Sequence, residues 1–357
     1  MDKSISHNAE ITVSFSALEE NLKVIRSHLG NDTKIMAVVK ANAYGHGAIE
    51  VARFLADKVE WFAVNTVEEG IQLRESGIQN PILVFGVPEE NHVNGYVRYN
   101  LTATISDLSH FDLLKDGANY HLNIDTGMGR LGILPSEIAR SLQMVEKYDM
   151  INLTGLYTHF ATADGPGSAK VEKQYQMFDE LKQQFSDDIL VHAANTGGIF
   201  FYPNTHFDMV RSGIGIYGYS PGETVVDGLV PVLRLRSKLV QVKTLGKGES
   251  VSYGATWTAL KETNIGVIPI GYEDGIRRNL SGNLEVKIAG NKYPVIGTIT
   301  MNYCMVDLGK DDYRIDTPVE ILDAKALTAK KWAACLGTIP YEILTGLSEK
   351  IYRRYID

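Results

Sequence analysis

The chain has 357 residues, 44% hydrophobic and 22% charged, which suits about two domains with a sizeable core and excludes a disordered or fibrous protein. A net charge of -8 without a basic tract excludes nucleic acid and anionic membrane surfaces as expected partners and leaves a small-molecule substrate. No apolar stretch is long enough to span a bilayer, the opening Met1-Asp2-Lys3-Ser4-Ile5-Ser6-His7 lacks a secretion signal, and Cys304 and Cys335 form neither a disulfide framework nor a metal-ligand spacing; a cytoplasmic protein without a metal site is expected.

The first predicted element is a strand over Ala9-Glu10-Ile11-Thr12-Val13, expected to join a later β domain or to cover a barrel floor. A helix follows, with Leu18, Leu22, Ile25 and Leu29 at helical period before Gly30 and with Ser16 and Glu19 in capping-box spacing; Thr66 and Glu69 repeat that spacing further on. Eight β-type runs then alternate with amphipathic stretches, near Lys34 to Val39, Trp61 to Val64, Ile82 to Phe85, Leu101 to Thr104, Tyr120 to Ile124, Leu153 to Thr158, Leu190 to Ala193 and Asp208 to Val210. Eight βα units in this length predict a (β/α)8 TIM barrel over about residues 13–230; the competing open doubly wound sheet lacks a Gly-x-Gly-x-x-Gly after an early strand. Beyond residue 230 the texture changes to Leu233 to Leu245, Ile265 to Ile270 and Tyr293 to Ile299, parted by Gly, Asn and Lys turns. That predicts a mainly-β domain over 231–357, with the strand at 1–12 expected to belong to it.

In such a barrel the active site forms at the carboxyl ends of the strands. Strand one ends on Lys40 and Tyr44, strand five on Asp125 to Arg130, strand six on Thr158-His159, strand seven on Asn195-Thr196, and strand eight on Arg211-Ser212-Gly213-Ile214-Gly215. A desolvated lysine amine sheds its proton readily and can join an aldehyde as a Schiff base, although a surface lysine is the plain alternative for Lys40. Glycine-flanked N–H groups with the Thr196 hydroxyl form a donor-rich nest where barrels often hold phosphate, a feature equally open to a tight turn. Together they suggest pyridoxal 5'-phosphate. Arg211 facing its pyridine nitrogen would keep that nitrogen unprotonated and weaken the electron sink, which favours proton removal and return at one carbon. Arg130, among Gly127, Gly129 and Gly132, can hold a carboxylate bidentately. In the β domain, Tyr253 could serve as a second acid or base if His159 and Arg211 lay beside it.

These segments closely resemble the alanine racemase family. The resemblance rests on Val38 to Gly47, Asp125 to Gly132, Thr158 to Asp164, Asn195-Thr196, Val210 to Gly218, Val251 to Thr256, Gly271 to Gly275, Gly297 to Met301 and Tyr341-Glu342, through nearly the whole chain. It implies a barrel followed by a β domain, and a head-to-tail homodimer in which one subunit's β domain completes the other's site. It further implies Lys40 as cofactor anchor and base toward the D-isomer, and Tyr253 of the partner subunit as base toward the L-isomer. Arg130 and the Met301 backbone would bind substrate, Arg211 would face the pyridine nitrogen, and Tyr44, Thr196, Gly213, Ile214 and Tyr341 would meet phosphate. Inversion calls for two groups on opposite faces of one carbon, because a single fixed group cannot reach both.

Three positions depart from the family pattern. Asn123 stands where many members carry a carbamylated lysine that buttresses the arginine matching Arg130, leaving a gap for an anion or water. Asn302 replaces an aspartate near the substrate. Thr298 replaces an arginine of the entrance corridor in some members. The expected activity is interconversion of L- and D-alanine for peptidoglycan precursors, with serine, lysine or broader specificity as alternatives. A barrel decarboxylase using the same cofactor is disfavoured by Arg211, and a non-catalytic cofactor carrier by the β domain bearing Tyr253.

Overall fold

The computed structural model describes residues 8–357. Of the expected strand at 1–12, residues 1–7 therefore lie outside the described residues. Strand β1 (Glu10–Ser14) buries Ile11 and Val13, and the chain turns directly into a helix, Phe15–Ser27. That helix is capped by Ser14, whose Oγ accepts the Ala17 N–H at 3.1 Å, rather than by Ser16 as the spacing suggested. The reason is local: the extended residue that ends the strand is the one whose side chain can turn back onto the first helical N–H groups.

Residues 19–229 form one compact unit. Its strands are β2 (Lys34–Val38), β3 (Trp61–Val64), β4 (Ile82–Val84), β5 (Thr102–Ile105), β6 (Asn119–Asn123), β7 (Asn152–Tyr157), β8 (Leu190–His192) and β9 (Met209–Ser212). All pair in parallel, and β9 closes on β2 through the register Lys34 to Met209 and Met36 to Arg211. The result is the expected closed eight-stranded barrel. Its strands read as continuous apolar runs because both faces are covered, and Ile35, Phe62, Leu83, Ala103, Leu122 and Leu156 are fully buried. Each large side chain so buried contributes about 1.5–3 kcal/mol. Helix Val67–Glu75 starts with the expected capping box: Thr66 Oγ1 accepts the Glu69 N–H, and Glu69 returns a carboxylate oxygen to Thr66 N.

The second unit comprises residues up to Leu18 and Val230–Asp357. Its strands are β10 (Leu233–Lys238), β11 (Gln241–Leu245), β12 (Ser250–Val251), β13 (Trp257–Thr258), β14 (Thr263–Ile268), β15 (Glu285–Ile288), β16 (Asn291–Ile296), β17 (Cys304–Gly309), β18 (Pro318–Leu322) and β19 (Tyr352–Ile356). Among the described residues a nine-stranded sheet runs β11-β14-β17-β16-β15-β18-β10-β1-β19. Strand β1 lies antiparallel to β10 and parallel to β19. The ribbon β12-β13 rests on a cluster of Val251, Ile265, Ile296 and Met305, with Trp257 packed against it. Among the described residues no helix is long and apolar enough to cross a membrane.

Candidate active site

The backbone after β2 winds left-handed. Ala41, Asn42, Ala43 and Tyr44 have φ of 52 to 53°, and Gly45 has 81°. Residues with a Cβ resist this hand, so the turn persists only because outside bonds hold it. Glu69 accepts the Ala41 N–H at 2.6 Å, Asn42 Oδ1 accepts the Ala48 N–H at 2.8 Å, and Ala43 N donates to Val39 O at 2.8 Å. The small-residue loop of the sequence is thus a rigid ledge with Lys40 at its head.

Lys40 Nζ makes no hydrogen bond or ion pair among the described residues and lies 5.7 Å from the centre of the Phe85 ring. Burial lowers its pKa, the Arg130 charge lowers it further, and Glu69 opposes them. A desolvated amine without a carboxylate is the state a Schiff-base lysine needs. Arg130 comes from a loop tied by Asp125, whose carboxylate accepts the Gly127 and Gly129 N–H groups at 2.9 Å. Asn123 holds the same loop by donating to Leu131 O at 2.9 Å; its buried Oδ1 has no partner among the described residues. The open valence beside the loop is therefore an acceptor, which suits a water better than an anion.

Arg211 is the buried centre of the barrel end. Its Nη1 donates to His192 Nδ1 at 2.7 Å and to His192 O at 3.1 Å; its Nη2 donates to Thr158 O at 2.7 Å, Ala193 O at 2.8 Å and His159 Nδ1 at 3.2 Å. Among the described residues the Nε–H is the donor left without a partner. Since a guanidinium only donates, His192 must accept at Nδ1 and carry its proton on Nε2, which it gives to His121 Nδ1 at 2.9 Å. His121 Nε2 ends this relay without a partner among the described residues. Burial, with the Arg211 charge, pushes the pKa of His121 and His159 down to about 3 and that of His192 well below its ordinary value. Burial brings Arg211 itself to about 10, so it stays charged at neutral pH.

Strand β9 leads into the expected anion nest. Gly213 N donates to Thr196 Oγ1 at 3.1 Å, while the N–H groups of the buried residues Ile214 and Gly215 have no partner among the described residues. A Cβ on Gly213 would stand 2.7 Å from Tyr44 Oη, so only glycine lets this turn approach the tyrosine. Asn195 caps helix Thr196–Phe201, accepting the Gly198 N–H at 3.0 Å. The barrel unit thus brings together Lys40, Tyr44, Arg130, His159, Asn195, Thr196, Arg211, Gly213 and Ile214. Unpaired N–H groups, a tight glycine, a free guanidinium N–H and an unpaired lysine are a donor set that fits phosphate, pyridine nitrogen and aldehyde of pyridoxal 5'-phosphate in turn.

The other expected site residues lie in the β unit. Tyr253 opens a short turn, Tyr253–Ala255, and is 73% exposed, and Met301 is 51% exposed. Asn302 donates to Glu273 at 2.8 Å, an interaction an aspartate could not make. Tyr341 sits on helix Pro340–Thr345. Thr298 is buried, and its hydroxyl donates to Tyr253 O at 2.9 Å. Sequence reasoning missed Glu69, His192 and His121 as parts of the site; the capping box was the only signal for Glu69, and the two histidines read as ordinary strand residues.

Both units resemble known proteins. Residues 13–221 match the family model for the alanine racemase N-terminal domain, and residues 232–355 match the C-terminal domain. The alanine racemase of Treponema denticola is 37% identical over 95% of this chain and 96% of its own, and that of Synechocystis is 38% identical over 98% and 99%. The crystal structure of alanine racemase from E. faecalis superposes with a TM-score of 0.93 at 32% identity, covering 99% of both chains.

Proposed function

Because the chain belongs to the alanine racemase family, we propose that it interconverts L- and D-alanine with pyridoxal 5'-phosphate on Lys40, as a homodimer whose subunits share active sites. When bound, that cofactor draws electrons from the α-carbon of an attached amino acid and acidifies its proton. The residues supply everything else. Lys40 Nζ takes or returns the α-proton on one face, and the Tyr253 phenol of the partner subunit does so on the other. Arg130 and the Met301 backbone hold the substrate carboxylate. Arg211 would hold the pyridine nitrogen through its Nε–H, and burial together with the Arg211 charge keeps His159, His192 and His121 neutral. Thr196, the Gly213 and Ile214 main chain, Tyr44, Asn195 and Tyr341 form the phosphate cradle.

The observation that carries this reading is the unpaired, desolvated Lys40 amine under the Arg130 charge. The 19–229 unit serves as the cofactor-binding barrel, and D-alanine formed in the cytoplasm would supply peptidoglycan precursors. Circular dichroism of single L-amino acids incubated with purified protein tests it. L-Alanine should lose its optical activity completely; loss for L-serine or L-lysine but not L-alanine would overturn the substrate. Tyr253→Phe should slow the reaction severely and leave the cofactor bound.

A further inference from the structure

Tyr253 stands on a strained stretch of main chain. Ser252 has φ 66° and ψ −177°, Gly254 has φ 76° and Ala255 has φ 46°. Serine and alanine enter this region only where their surroundings over-determine it. Here the surroundings are two hydroxyl bonds of opposite sense: Ser252 Oγ donates to Thr298 O at 2.6 Å, and Thr298 Oγ1 donates to Tyr253 O at 2.9 Å. The two segments touch, for a Cβ on Gly297 would stand 2.7 Å from Val251 O and 3.0 Å from Ser252 Cβ. Thr298 is only 6% exposed, so water cannot readily replace its hydroxyl. Tyr253, in contrast, is 73% exposed. Within this unit the phenol is placed through its main chain.

We infer that Thr298 and Ser252 form a reciprocal clasp that positions Tyr253 as a base, an inference resting on the role given to Tyr253 above. Valine at 298 keeps the shape of threonine and removes the donor. Tyr253 O then loses its partner, Ser252 relaxes toward negative φ, and the phenol leaves its place while Lys40 keeps its own. A displacement of this kind slows proton transfer by about ten- to a hundredfold.

A racemase has an equilibrium constant of one, so kcat/KM must fall equally for both enantiomers, and rate alone does not say which transfer suffered. Isotope effects do. If the Tyr253 transfer slows in Thr298→Val, the α-deuterium effect on kcat/KM rises for L-alanine and falls toward unity for D-alanine. Thr298→Ser should restore both, and Ser252→Ala should reproduce the Val phenotype without adding to it in the double variant. In the cofactor-free protein, amide exchange of the peptide 250–258 should quicken in Thr298→Val and Ser252→Ala and return to the wild-type rate in Thr298→Ser. Unchanged exchange, or isotope effects that shift alike for both enantiomers, overturns the clasp. If Thr298→Val does not fold, Ser252→Ala decides by the same two readouts. Full activity in Tyr253→Phe would instead sink the Tyr253 assignment and leave the exchange result standing.

Discussion

Glu69 and Ala41 are 28 residues apart and joined by a 2.6 Å hydrogen bond from the Ala41 N–H to Glu69 Oε1. The other oxygen of the same carboxylate accepts from Asn65 N at 2.7 Å and Thr66 N at 3.2 Å. One side chain thus begins a helix, pins the ledge behind Lys40 and supplies the negative charge that resists the fall of the Lys40 pKa.

Glu69→Gln should therefore move Lys40. With the opposing charge gone, burial and Arg130 act alone and the pKa falls further, so the pH midpoint for labelling the Lys40 amine in cofactor-free protein shifts down. An amide nitrogen cannot accept, and the lost bond to the helix start should cost about 1 kcal/mol in urea unfolding. An upward shift of the midpoint would contradict this account.

Acid should destabilise the cofactor-free protein steeply. His121 and His159 titrate near 3 when folded, against 6.5 in an unfolded chain, and His192 also lies well below 6.5. Between those limits the unfolded chain binds more protons, so stability is intact above pH 6.5 and falls as the pH drops toward 3. Each histidine contributes a slope of about 1.4 kcal/mol per pH unit, and the three together about 4. Replacing His121 with glutamine should remove about one third of that slope; urea titrations from pH 7 to 5 measure it.

Arg211→Lys is not conservative here. Thr158 O, Ala193 O, His192 O and His192 Nδ1 take their bonds from two terminal nitrogens in a fixed fork, which a lysine ammonium cannot reproduce. Leaving two or more buried acceptors unmet should cost about 2–5 kcal/mol in the cofactor-free protein. A urea midpoint equal to that of the wild type would refute the role of Arg211 as the structural centre of the barrel end.

Gly213→Ala tests the cradle. The added methyl meets Tyr44 Oη inside contact distance, so the buried tyrosine or the turn must shift. Affinity for pyridoxal 5'-phosphate, followed by absorbance on titration, should drop at least about tenfold, the equivalent of about 1.4 kcal/mol. Wild-type affinity would mean that the nest at residues 213–215 does not hold the phosphate.

The barrel was legible because both faces of its strands are buried, so each strand shows as an apolar run bounded by polar ends. Lys40, His159 and Arg211 were legible because they break those runs at the carboxyl end. The handedness of residues 41–44 was not, since alanine and tyrosine have no local preference for it and the bonds that impose it come from Glu69 and Asn42. His121 and His192 stayed hidden because a neutral, ring-stacked histidine sits in a strand like any aromatic; His192 stacks on Tyr157 at 4.9 Å. Thr298 looked like a corridor substitution and is a buried donor to Tyr253, a relation across 45 residues that no spacing encodes.

The left-handed ledge also ties the reactivity of Lys40 to the folded barrel. Ala41, Ala43 and Tyr44 carry a local penalty of about 1–2 kcal/mol each, so the ledge depends on helix Val67–Glu75, which brings Glu69 to Ala41. In a nascent or half-folded chain Lys40 is an ordinary hydrated ammonium with little appetite for aldehydes. Only the closed barrel takes water from that amine and sets it near the Arg130 charge, so the ease with which Lys40 sheds its proton belongs to the folded unit and not to the local sequence.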